Sequence, residues 1–131
     1  MVDIDALERL LIAAGSRDEP LTYGALLRRF GRRVTPITVA ALCRDLGEVC
    51  RRVEARGGPD LACLVVRRSD GLPGEGYFAA LREAGIYRGP SEGPAARRFL
   101  AARQRAAFRW CRRQAARAAD LPPEVDFLRD R

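Results

Sequence analysis

The sequence predicts a mainly α-helical domain with a small β-hairpin, namely a winged helix-turn-helix followed by a long C-terminal helix. Three observations carry that prediction. Three amphipathic segments with their own start signals fill residues 3–56, and a continuous apolar run and a glycine-dense turn follow at residues 61–76. An Ala- and Arg-rich stretch then runs through residues 94–119. Helix, helix, helix, strand, glycine turn and return is the element order of a winged helix, in which the third helix enters the DNA major groove and the hairpin touches phosphate.

The elements follow in order. Asp3 or Asp5 caps a first helix to about Ala14, with Leu7, Leu10, Leu11 and Ala14 on one face, and residues 3–19 carry a net charge of −3. Thr22 caps a short second helix, Tyr23 to Phe30, that turns Leu26, Leu27 and Phe30 inward and Arg28 and Arg29 outward. Thr35 before Pro36 is the favoured order of N-cap and first helical residue. The third helix then keeps Val39, Leu42, Leu46, Val49 and Val53 at alternating spacings of 3 and 4 to about Arg56, with Gly47 as a candidate kink. Leu61 to Val66 reads as a buried strand. The turn from Ser69 to Gly76 leads through Tyr77 and Phe78, as a short strand or turn, into a helix over Ala79 to Ala84. Ser91 and Glu92 open the last helix, which Pro122 and Pro123 stop, leaving a tail whose Val125 and Phe127 are expected to pack back. Residues 1–90 form the winged-helix domain, and residues 91–131 are a basic helix and tail packed on it.

Composition narrows the chemistry. The chain has 131 residues, 47% of them hydrophobic, a formal charge of +7, and 24 basic residues that are all Arg, with no Lys and no His. A Walker-type phosphate loop and Schiff-base catalysis need Lys, and Ser-His-Asp triads and Cys/His zinc fingers need imidazole, so these are excluded. Guanidinium stays protonated at physiological pH and is a poor proton shuttle. Binding is therefore favoured over catalysis, with no enzyme, cofactor or metal expected. Cys43, Cys50, Cys63 and Cys111 lack Cys-x-x-Cys spacing and read as small buried hydrophobes. Asp60, Asp70 and Glu75 are the carboxylates that a magnesium-dependent nuclease would need, without the Lys or His that usually completes such a site. No apolar run approaches the length of a membrane span, and a cytoplasmic location is expected.

The charge is unevenly placed. Residues 24–68 hold ten Arg against four acids. The candidate nucleic-acid-binding residues are Tyr23, Arg28, Arg29, Arg32, Arg33, Thr35, Thr38 and Arg44 on the second and third helices. Arg67, Arg68, Gly71 and Gly74 join them on the wing. Six phosphate contacts give a slope of about −5 in log affinity against log salt. Few of these side chains suit base edges, so affinity is expected to come chiefly from phosphates. A second basic surface lies on the last helix, where Arg98, Arg105, Arg109 and Arg112 recur on one face within a stretch of eight Arg and no acid. Duplex DNA is the expected partner, in a regulatory, repair, mobile-element or defence setting. RNA, an acidic protein captured by the last helix, and self-association stay open as alternatives, and a membrane is not expected.

Leu21-Thr22-Tyr23-Gly24-Ala25-Leu26-Leu27, the helix after it, and Leu64-Val65-Val66 before Asp70-Gly71 resemble the winged-helix domain of alkylguanine-DNA alkyltransferases and alkyltransferase-like proteins. The family's reactive element is Pro-Cys-His-Arg-Val. Laying Val65 on its last residue places Ala62 at the nucleophile and Cys63 at the histidine, so the resemblance implies DNA binding without alkyl transfer. Alkyltransferase-like proteins fill the base stack with an Arg near the start of the third helix, whereas here Pro36, Ile37 and Thr38 occupy that region. The run from Leu64 to Phe78, with Phe108 to Trp110, is also similar to small uncharacterised bacterial single-domain proteins.

Overall fold

A computed structural model describes residues 2–119 of the chain. Helix α1 spans Ile4–Ser16, and the Asp3 carboxylate caps it by accepting from the Ala6 N–H. A two-residue strand β1, Leu21–Thr22, leads into α2, Tyr23–Arg29, capped by the Thr22 hydroxyl. Helix α3, Pro36–Ala55, begins with a reciprocal cap: the Thr38 N–H donates to Thr35 Oγ1 at 3.1 Å and the Thr35 N–H to Thr38 Oγ1 at 2.9 Å. Thr38 here plays the part usually given to Glu or Gln. Gly47 does not break α3, because Leu46 and Val49 on either side of it are buried in the core and hold the helix in line. A short 3-10 turn, Ala62–Leu64, precedes strand β2, Val65–Val66. Helix α4 is Glu75–Glu83 and helix α5 is Gly93–Ala119.

The mainly helical fold with a small β element and a long last helix is the one the sequence predicts, and its β element differs in detail. The two strands pair in parallel, Leu21 with Val65 and Thr22 with Val66, so they form no hairpin. Only the last two residues of the apolar run are extended, because the Asp60 carboxylate accepts from the Ala62 N–H and the Leu64 N–H closes on the Leu61 carbonyl. After the glycine turn the chain returns as α4 and not as a strand. Phe78 and Leu81 are buried three residues apart, a helical spacing, with Glu75 in the first turn.

One hydrophobic core runs through every helix. Leu7 and Leu11 of α1, Leu26 and Leu27 of α2, Leu42, Val49 and Val53 of α3, and Phe78 of α4 are among its buried members. Ala96, Leu100, Ala107, Trp110 and Cys111 of α5 complete it. Ring contacts run from Tyr77 edge-on to Phe78, from Phe78 tilted to Tyr87, and from Tyr87 stacked on Phe99, joining α4 to α5. At Gly58 the backbone passes so close to Val53 and Trp110 that a Cβ would lie 2.9 Å from the indole ring. Val125 and Phe127, expected to pack back, lie outside the described residues.

Candidate nucleic-acid interface

Helices α2 and α3 position the first arginine cluster. Leu26 and Leu27 anchor α2 in the core, so the helical period turns Arg28 and Arg29 to solvent. The chain then closes through Gly31 at a positive φ, which glycine adopts without strain, and exposes Arg32, Arg33 and Val34 before the Thr35 cap. Ile37, the second residue of α3, is 77% exposed, and Val34 is 50% exposed. An apolar knob thus stands at the start of α3 with exposed Arg28, Arg29, Arg32 and Arg33 close by in the chain. Arg44 is exposed two turns further along.

Several candidate side chains are already engaged inside the fold. The Thr35 and Thr38 hydroxyls are used in the α3 cap, and Thr38 Oγ1 also donates to the Arg33 carbonyl at 2.6 Å. Tyr23 is half-buried, its hydroxyl accepts from the Gly74 N–H at 3.0 Å, and burial pushes its pKa up. Arg67 is half-buried and donates to Asp70 at 2.8 Å. The Asp70 carboxyl is held below its ordinary range by the Leu72 N–H, by Arg67 and, more weakly, by Arg97. Arg68 and Gly71 are exposed on the 67–72 loop, and Gly74 is the N-cap of α4.

The same helix carries a different arrangement at its other end. Arg52 pairs with Asp5 at 2.7 Å and Arg56 with Glu8 at 3.2 Å, both acids lying on α1, and Arg51 pairs with Glu48 at 2.6 Å. These three arginines, counted from the sequence toward a basic surface, are therefore neutralised within the fold.

On α5, Arg98, Arg105 and Arg109 are exposed, whereas Arg112 is ion-paired to Asp18. Arg103 turns inward instead. Its guanidinium donates to Asp60 at 3.1 Å, and the Asp60 carboxylate also accepts from the Tyr77 hydroxyl at 2.7 Å. This tie sits in a cleft of about 520 Å³ between α3 and α4 that Tyr23, Cys43, Arg44 and Leu81 also line. Burial and Asp60 raise the Tyr77 pKa, and burial raises the Cys50 thiol to about 11. Neither group is poised for proton transfer near neutral pH. The carboxylates considered for magnesium are not brought together: Asp60 is held by Arg103 and Tyr77, and Asp70 by Arg67. Among the described residues no three Cys, Asp or Glu side chains are placed to share a metal ion. Cys63 and Cys111 are buried as the sequence predicts, whereas Cys50 is only half-buried and Cys43 is exposed at the cleft, one helical step off the buried Leu42.

Sequence reasoning missed two of these features. Ile37 lies off the buried series of α3, a signal available in the spacing. The Asp60–Tyr77–Arg103 tie joins residues 43 positions apart, which no local pattern reports. No family model, no curated protein and no solved structure matches the chain. Among the described residues no helix is long and apolar enough to cross a membrane.

Proposed function

We propose that the protein binds duplex DNA without catalysing a reaction, chiefly through phosphates, by the surface of α2, the 30–35 turn and the start of α3 together with the 67–74 loop. The observation that carries this reading is Ile37, exposed at a helix start whose surrounding arginines are also exposed. Arginines around an apolar side chain are the composition of a wedge that enters a minor groove and leans on a base step while cations hold the flanking phosphates. Arg28, Arg29, Arg33 and Arg68 supply the cations. With the cap hydroxyls of Thr35 and Thr38 engaged, sequence preference rests on how easily a base step opens and not on base-edge hydrogen bonds.

Fluorescence anisotropy of a labelled 20-bp duplex over a salt series tests it. Four phosphate contacts give a slope of about −3.6 in log affinity against log salt. Joint substitution of Arg28, Arg29, Arg33 and Arg68 by Ser is expected to flatten that slope and lower affinity at least tenfold. Ile37→Ser should weaken binding several-fold at every salt concentration and leave the slope unchanged. An affinity that the quadruple variant does not change overturns the reading.

A further inference from the structure

The outward face of α5 presents Arg and Ala. Arg98, Arg105 and Arg109 are exposed there, and Ala102 is exposed between the first two. At about 100° per residue the three arginines fall within about 40° of one another around the helix. They point away from the buried Ala96, Leu100 and Ala107 and span ~16 Å along the axis. Helix α5 carries eight Arg and no acid, so no residue of the helix itself neutralises the line, and like charges at these spacings repel. Arg103 and Arg112 are spent inside the fold on Asp60 and Asp18.

What this face lacks decides the kind of partner. The large apolar side chains of α5, namely Phe99, Leu100, Phe108 and Trp110, are buried or packed against the core. A protein partner is gripped chiefly by apolar and aromatic anchors at the centre of the contact, and the outward face has none to offer. A phosphate backbone needs only cations and room to approach, and Ala102 leaves that room. Guanidinium groups meet phosphate oxygens in a two-pronged geometry. A duplex carries one charge per about 1.7 Å of its axis, so a line of ~16 Å faces roughly ten phosphates and finds partners in any register.

We propose that the Arg98–Arg105–Arg109 face of α5 is a second duplex-binding surface, so that one chain holds two DNA segments together. Helix α5 packs against α1 and the 62–64 turn, whereas α2 packs against α3, so the two arginine surfaces are carried by different parts of the fold. The bridge rests on the α2–α3 reading for its first duplex. Binding by the α5 face does not.

Capture of a fluorescent 20-bp duplex on beads that carry a second, biotinylated duplex tests the bridge, with the full chain at low salt. The unsubstituted protein is expected to retain the fluorescent duplex, and R98Q/R105Q/R109Q to retain at least fivefold less, Gln keeping the helix propensity while removing the charge. Anisotropy with the R28S/R29S/R33S/R68S variant then reads the α5 face alone. Weaker binding should remain, with a slope of about −2.7 for three phosphate contacts, and adding R98Q/R105Q/R109Q should abolish it. Should the α2–α3 reading alone fail, R28S/R29S/R33S/R68S binds as tightly as the parent while R98Q/R105Q/R109Q removes binding, which ends the bridge and upholds the α5 surface. Bridging by a pair of chains through α2–α3 would survive R98Q/R105Q/R109Q, and undiminished capture by that variant overturns the proposal. So does retention of labelled poly-glutamate in place of the second duplex.

Discussion

The two ends of α3 carry the same residue type to opposite purposes. At its C-terminal end Arg51 pairs with Glu48 within the helix, while Arg52 and Arg56 meet Asp5 and Glu8 and fasten α3 to α1. At its N-terminal end, exposed Arg33 precedes an uncharged cap built from Thr35 and Thr38, and Ile37 projects into solvent. A guanidinium with a carboxylate beside it is part of the fold, whereas an exposed one can neutralise a phosphate. Net charge over a stretch of sequence cannot separate the two roles, because the acids that pair with Arg52 and Arg56 lie 47 and 48 residues earlier in the chain.

The largest effect is expected where the paired end is locked to the rest of the molecule. Gly58→Ala forces a Cβ into Val53 and Trp110, and overpacking of this kind costs about 1–3 kcal/mol. Chemical denaturation followed by Trp110 fluorescence measures it. If the variant is as stable as the parent, the close packing at the end of α3 does not matter to the fold. Next, R51S/R52S/R56S removes partly exposed pairs worth about 0.2–1 kcal/mol each. It should lower stability by about 1–2 kcal/mol and leave duplex affinity within twofold of the parent. A loss of affinity comparable to that of the Arg28, Arg29, Arg33 and Arg68 variant would erase the distinction between the two ends. Smaller again is D5N/E8Q, which strips the acids and leaves the arginines. Stability should fall by no more than about 1 kcal/mol. The salt slope of DNA binding should stay put, since the released Arg52 and Arg56 face α1 and not the proposed interface.

Both limits of α3 were legible in the sequence, whereas the ion pairing at its C-terminal end was not. Thr35-Pro36 is a local signal, and both the cap and the helix start fall where that dipeptide places them. Ile37 could be read as exposed from its position off the 39, 42, 46, 49, 53 series. The pairing of Arg52 with Asp5 depends on α1 and α3 lying side by side, which follows from core burial and not from any residue near Arg52. The parallel contact between β1 and β2 was hidden for the same reason, as two residues too short to show a period pair across 44 positions. Tyr77 and Phe78 were ambiguous because an aromatic pair suits a strand or a helix, and the partner stack of Tyr87 and Phe99 decided it. The candidate surface inherited this division, with exposed Arg28, Arg29, Arg33 and Arg68 readable from helix and turn position, and the engagement of Tyr23 with Gly74 visible only in the fold.

The smallest effect separates the two ends by pH. The Glu48 carboxyl is held below its ordinary value of 4.5 by its hydrogen bond and charge pairing with Arg51, with a lesser contribution from Arg52. A depressed carboxyl pKa in the folded state favours folding when the group is charged. Its contribution is therefore present at neutral pH and is lost as pH falls below about 4.5 through the lower folded value. The Thr35–Thr38 cap contains no titrating side chain, so the N-terminal end has nothing of this kind to lose. Backbone carbon shifts followed by NMR from pH 6 to pH 3 should move at Glu48, Arg51 and Arg52 and stay constant at Pro36, Ile37 and Thr38. Movement of both groups with one midpoint would mean that α3 responds to acid as a single unit, and the division of labour between its ends would not extend to its stability.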